Sequence, residues 1–209
     1  MNKLGIIGSG ELGAQILNIA RQQNIFDIVG FFDDYENIHE KYGTRVLGPL
    51  NAIEKCIHNG QVTCLSLAIG YKHMGARKAL YERFSELCPF ATIVHPFSFI
   101  DETALVGPGC IIYPGTVIDK NVVVRENTVL NNGCIISHDS IVGPHSFLSP
   151  NTALAGFVSI GECAYLGIST TVIDNISIAS NIQTGGGTVV IKDIQQAGLY
   201  VGNPARFIR

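Results

Sequence analysis

The chain has 209 residues, a formal net charge of −3, 46% apolar and 15% charged side chains. That composition suits one large or two small folded domains and excludes a disordered chain. The slight acidity leaves no electrostatic footprint for nucleic acid or an anionic membrane, so no nucleic-acid or membrane partner is expected. Six cysteines lie far apart, at positions 56, 64, 88, 110, 134 and 163, without a CxxC pair, which reads as reduced packing thiols. No apolar run approaches spanning length, and the opening MNKLGIIG lacks the features of a signal peptide. The expected compartment is the cytoplasm.

The first strand expected is Lys3 to Ile7. It runs into Gly8-Ser9-Gly10-Glu11-Leu12-Gly13, and apolar residues then recur at helical spacing from Leu12 to Arg21. A second strand, Ile28 to Phe32, ends at Asp33-Asp34. This is the context of the dinucleotide fingerprint: Gly8 for the turn, Gly10 for close approach of phosphate, Gly13 for packing and an acid for ribose. Further along, Asn51 to Cys56 reads as a helix and Thr63 to Ile69 as a strand. Gly70 and Tyr71 follow at its carboxyl end. Gly75 to Leu87 reads as a helix and Thr92 to Val94 as a fourth strand. The βαβαβαβ unit over 1–95 has room for little more than one mononucleotide-binding half, so it predicts a Rossmann-like domain that grips a nucleotide rather than a full NAD domain. The residues expected to form that grip are Gly8, Ser9, Gly10, Glu11, Asp33, Asp34, Gly70 and Tyr71.

From Ile100 to Ile194 the pattern changes to a strict period of six, which fits neither a helix nor a simple strand. It predicts a hexapeptide parallel β-helix over 96–209, with three short strands per triangular coil. Three blocks make 18 residues, so inward ladders are expected along Ile100, Ile118, Ile136, Leu154, Val172 and Val190, along Val106, Val124, Val142, Ile160 and Ile178, and along Ile112, Leu130, Leu148, Leu166 and Thr184. Small or β-branched residues such as Cys110, Thr116, Cys134 and Ser140 alternate with them because the prism is narrow. Each coil is too small to bury its own apolar residues, and stacking supplies the missing neighbour.

The chemically loaded stretch is Asn131 to Asp139. His138 falls near a corner of the coil, away from the inward ladder, and Gly156 lies one coil on. With strands roughly 4.8 Å apart, the imidazole and the Gly156 N–H are expected to face one cleft. An imidazole can take a proton from an attacking amine or hydroxyl, and a backbone donor can stabilise an oxyanion. Asp139 can orient the ring. His145 reads as a solvated corner residue. Gly185, Gly186 and Gly187 would let another backbone or a pantetheine arm come close, and Lys192, Arg206 and Arg209 are the cations near them. The tail is expected to cover the open lower edge of the coil.

These residues together give a resemblance. The Gly8–Gly13 loop, Asp33-Asp34, Ala68-Ile69-Gly70, Asn131, His138-Asp139, Ala155-Gly156, Gly185–Gly187 and the tail Val201-Gly202-Asn203-Pro204-Ala205-Arg206 look like those of bacterial sugar acyltransferases. That family joins a Rossmann-like domain to a left-handed β-helix, and includes sialic acid O-acetyltransferases and N-acetyltransferases of nucleotide-linked 4-amino sugars. The resemblance implies a homotrimer with acetyl-CoA between neighbouring β-helices, and no metal and no NAD. It implies His138 as general base, Asp139 as its partner, Asn131 in the catalytic set, and Gly156 N–H as donor to the thioester carbonyl. It places CoA near Gly185, Gly186, Gly187, Asn203, Pro204 and Arg206. Many relatives carry a second histidine nine residues after the base, where this chain has Phe147. The expected reaction is acetyl transfer to the amine of a nucleotide-linked 4-amino-4,6-dideoxy sugar, in the synthesis of a surface polysaccharide or glycan precursor. The alternative within the family is sugar O-acetylation. Outside it stand a dinucleotide-dependent oxidoreductase, suggested by the glycine loop, and a metal hydratase or scaffold on the same coil.

Overall fold

In the computed structural model, which describes residues 1–36 and 38–209, the run Leu4 to Ile7 forms the buried middle of a parallel sheet. Strand β1 (Asn2–Ile7) lies between β2 (Phe26–Phe32) and β5 (Cys64–Leu67), and β4 (Thr44–Gly48) pairs parallel with β2. The two-residue β3 (Glu40–Lys41) adds an antiparallel edge on β4. Helix α1 (Glu11–Gln23) buries Gly13, Ile16, Leu17, Ile19 and Ala20 and ends where Asn24 turns left-handed, its N–H bonded to Ala20 O. Helices α2 (Ile53–His58) and α3 (Met74–Ser85) share a core cluster with the sheet, in which Phe84, Ile53 and Tyr81 pack with Ile7, Phe32, Leu65 and Leu67.

Two expectations change here. Thr44 to Gly48 is a strand that the sequence did not announce, because four of its five residues are not buried and no apolar alternation marks it. The expected fourth strand shrinks to Ile93–Val94, which is not among the five strands of this sheet. The sheet edge meets the chain earlier, at an isolated Leu65–Phe90 bridge with Leu65 N donating to Pro89 O and Ala91 N to Leu65 O.

The chain divides into two compact units, Met1–His95 and Pro96–Arg209. The second is a parallel β-helix with three sheets. Its register is the 18-residue repeat: Ile118 pairs with Ile100 and Ile136, Val142 with Val124 and Ile160, and Leu148 with Leu130 and Leu166. Every block opener from Ile112 to Val190 is at most 2% exposed. The one polar opener, Thr184, accepts from Gly167 N and pairs with the Thr170 hydroxyl at 2.7 Å, so its burial leaves no bond unmade. The small fifth positions also bond upward by one repeated step. Thr116 donates to Asn131 O, Ser140 to Ala155 O, and the thiols of Cys110 and Cys134 to Arg125 O and Ser149 O. Burial pushes the Cys134 thiol up to about 12, which fits a packing role. The tail strand Gly198–Val201 adds to Ile182–Thr184, and Arg206–Phe207 folds back on it, so the last coil gains a cover.

Candidate active site

In the first unit the glycine loop is shaped by close backbone packing. A Cβ on Gly13 would lie 2.4 Å from Gly8 O, and Gly8 sits at φ 96° with its Cβ position 2.9 Å from Ala68 O. Gly10 faces open space and begins α1 with no side-chain cap, so the first-turn N–H groups are available to an anion. Ser9 points inward: its N and its hydroxyl both donate to Asp33 Oδ2 at 2.8 Å. Asp33 Oδ1 takes the N–H of Tyr35 at 2.9 Å. Burial pushes the Asp33 carboxyl up, but hydrogen bonds from Tyr35 and Ser9 outweigh it and hold the group below its ordinary 3.8. Most of that carboxylate is therefore spent on the loop itself. Asp34 is exposed and, among the described residues, takes only the N–H of Leu50, at 2.8 Å.

A pocket of about 310 Å³ opens beside the loop, lined by Gly8, Asp33, Asp34, Tyr35, Leu50 and His73 among others. Arg77, fully buried on α3, donates to Leu67 O and Ile69 O and so fixes the carboxyl end of β5 just before Gly70. No sequence signal set Arg77 apart from Lys78 and Arg83 on the same helix. Tyr71 opens a short 3-10 turn and is 40% exposed, and Glu11 is exposed at the start of α1. A larger open hollow of about 950 Å³ lies at the opposite, amino ends of β1 and β2, away from the loop.

In the second unit, His138 and Gly156 meet as the register demands. A Cβ on Gly156 would fall 2.7 Å from His138 Cε1 and 2.8 Å from Nε2, so the imidazole occupies the space above that glycine. Asp139 stands at φ 58° in the corner, and its Oδ2 lies 3.0 Å from His138 Nδ1. Its other oxygen accepts from Asn121 Nδ2 at 2.9 Å. Hydrogen bonds from Asn121 and His138 hold the Asp139 carboxyl below its ordinary value. An ionised carboxylate only accepts, so Nδ1 carries a proton, and in the neutral imidazole the lone pair is then on Nε2. The corner is braced from below: Ser140 donates to Ala155 O while Val158 N donates to Ser140, which ties both sides of Gly156 to the base of His138. The Phe157 ring meets the imidazole edge to face, with centroids 5.3 Å apart. Neither Ser140 nor Phe157 carried a sequence signal for this site.

Other expected residues are placed elsewhere. Asn131 stands at the corner before the Ile135–Ile136 strand, its amide oxygen bonded to Asn132 N, and no contact with His138 is found. His145 is not solvated: it is 5% exposed, with Nδ1 2.9 Å from Asn127 Nδ2, because its corner turns the ring against the neighbouring coil. Phe147 is 5% exposed and tilts against Tyr165 at 6.2 Å, so it packs where a second histidine would stand. Gly185 donates to Tyr200 O, and its Cβ position lies 2.9 Å from Val201 Cγ1. The close approach expected there is made by the chain's own tail. Gly186 abuts Ile168, while Gly187, at φ 68°, faces open space. Asn203, Pro204 and Arg206 are exposed around a cis Asn203–Pro204 bond.

Residues 3–84 match the family model described as the PglD N-terminal domain. The whole chain superimposes on a point mutant of perosamine N-acetyltransferase from Caulobacter crescentus in complex with CoA and GDP-perosamine, with TM-score 0.93, 25% identity, 100% of this chain and 98% of that one. Over its whole length the chain is similar to bacterial sugar acyltransferases with a Rossmann-like N-terminal domain. The fold is shared with the acetyltransferase domain of PglB from Neisseria gonorrhoeae, at TM-score 0.90 and 22% identity over 100% of both chains. The shared fold makes the second unit a left-handed β-helix. Among curated proteins, serine acetyltransferase 2 of Arabidopsis thaliana is 42% identical over 50 residues, which is 24% of this chain and 16% of that protein. Among the described residues no helix is long and apolar enough to cross a membrane.

Proposed function

We propose that this sugar acyltransferase moves the acetyl group of acetyl-CoA to the amine of a nucleotide-linked 4-amino-4,6-dideoxy sugar, with His138 as general base. The observation that carries this is the His138 imidazole over Gly156, its Nδ1 bonded to an Asp139 carboxylate that Asn121 holds in turn. The amine nitrogen attacks the thioester carbonyl carbon, and Nε2 takes the proton that the amine loses. The C–S bond then breaks, and the proton passes to the leaving CoA sulfur. The Gly156 N–H donates to the carbonyl oxygen as charge develops on it. Asp139 keeps the proton on Nδ1, so Nε2 remains the accepting nitrogen through each turnover.

The nucleotide occupies the glycine-loop pocket, its phosphates on the open α1 N-terminus and its base or ribose against Asp34. That N-acetylation rather than O-acetylation is the reaction is supported by the perosamine enzyme, whose bound ligands are CoA and a GDP-linked sugar. The active species is a homotrimer in the cytoplasm. Two adjacent faces of the first coils carry outward apolar stripes suited to self-association, Phe99, Val117 and Ile135 on one and Leu105 and Ile141 on the next, each between 36% and 66% exposed. An active monomer in light scattering at assay concentration would remove that part of the reading.

The test is thiol release from acetyl-CoA across a panel of nucleotide-linked amino sugars and free sialic acid. Turnover with an amino sugar that falls about 10²–10⁴-fold in His138→Ala is the expected result. Near wild-type turnover in the purified variant would show that His138 is not the base. Turnover only with sialic acid would show O-transfer.

A further inference from the structure

From Gly109 to Gly187 every sixth residue of the β-helix stands at positive φ, and most of these places hold Gly, Asn or Asp, which tolerate it. Asn121, Asn127, Asn151, Asn175 and Asn181 all sit between φ 51° and 59°. Phe157 stands in the same series at φ 57°. In its own ladder the residues one coil before and after are Asp139 and Asn175. A bulky side chain at positive φ is a steric outlier, because its Cβ crowds the backbone. Such strain persists only where something else holds it. Core burial does not, since Phe157 is 56% exposed.

What Phe157 touches is His138. Its backbone N donates to His138 O at 3.1 Å, and its ring lies at 88° to the imidazole, 5.3 Å between centroids. The imidazole itself is half exposed, with a side-chain exposure of 49%. The bond to Asp139 fixes one ring nitrogen but still allows the ring to swing about it, because torsions onto an aromatic ring are broad. Gly156 supplies a floor without a side chain. The perpendicular phenyl ring is the remaining wall, and edge-to-face pairs of this spacing are attractive beyond simple contact.

The geometry points to Phe157 as a positioning residue for acyl transfer, its ring holding the His138 imidazole in the one orientation that presents Nε2 to the acceptor. This rests on the reading of His138 as general base. The strained corner is then kept for the reaction and not for the fold, so a purely structural role and a positioning role predict opposite outcomes.

The experiment compares Phe157→Asn, Phe157→Tyr and His138→Ala in the full chain, by steady-state kinetics with both substrates, thermal melting and light scattering. Asparagine is what the neighbouring corners use, so Phe157→Asn should melt at or above the wild-type temperature while kcat falls about 10–100-fold. The KM of each substrate should stay within about threefold, as expected when only the base's orientation is lost. Phe157→Tyr keeps the ring and should retain kcat. The proposal is overturned by any of four results: full kcat in Phe157→Asn, a fall in melting temperature that Phe157→Tyr restores together with activity, a loss confined to the acceptor KM, or a smaller assembly in proportion to the lost rate. An inactive His138→Ala beside a fully active Phe157→Asn would reject the positioning role and leave the base in place. An active His138→Ala would reject the base itself.

Discussion

Replacing Gly156 by alanine separates the imidazole's position from every other element of the site. The new methyl carbon would lie 2.7 Å from His138 Cε1, 2.8 Å from Nε2 and 3.3 Å from Nδ1, and no backbone atom is among its three nearest neighbours. Carbon atoms rest at about 3.5–4.0 Å, so the overlap is roughly 1 Å and must be relieved by moving the ring. The ring is half exposed and free to move toward solvent, so the fold should hardly notice. Alanine keeps the backbone N–H, so the oxyanion donor survives. A misplacement of about 1 Å at a reacting group can cost about 10²-fold, and complete loss of the base about 10²–10⁴-fold. Gly156→Ala should therefore lower kcat by about 10²-fold or more, with a melting temperature within about 2 °C of wild type. Thiol release from acetyl-CoA under saturating acceptor reads the first quantity, and thermal denaturation the second. A variant that keeps kcat within about threefold would refute the argument that the stacked glycine sets the base.

Two further outcomes follow from the first unit. Asp33 is held below its ordinary 3.8, so its contribution to stability is complete above that pH and is lost as pH falls through the lower folded value. Asp33→Asn should melt below wild type at pH 7, and the gap should narrow at pH 3; a gap that is constant or widens contradicts the bonds to Ser9 and Tyr35. Asp34 is the carboxylate with more capacity left for a ligand, and losing one charge-assisted hydrogen bond costs ~1.5–3 kcal/mol. Asp34→Ala should raise the acceptor KM roughly 10–100-fold and leave the acetyl-CoA KM nearly unchanged, whereas a loss of acetyl-CoA binding alone would place the donor in this domain.

The β-helix was legible in the sequence because its period is its register. A coil of three short strands has no partner but the next coil, so an inward aliphatic residue at position i is obliged to stack on i+18. Val142 on Val124 and Leu148 on Leu130 follow from that alone, and so does the meeting of His138 with Gly156. The glycine loop was legible for a similar reason: only glycine fits at Gly13, where a Cβ would lie 2.4 Å from Gly8 O. Tertiary structure decided how each polar group is spent. Asp33 looked like a ligand for ribose, yet its carboxylate closes the loop through Ser9 and Tyr35, because lone pairs go to whichever donors the folded chain brings near. Gly185 looked like space for a pantetheine arm and is filled by Val201, from a tail whose path no local pattern encodes. His145 and Phe157 are both corner residues at positive φ, with nothing in the sequence to tell them apart. One ring turns in against Asn127 and the other stands beside His138. The period fixes which corner a residue occupies, but the direction of its side chain is set by which neighbouring coil has room to receive it.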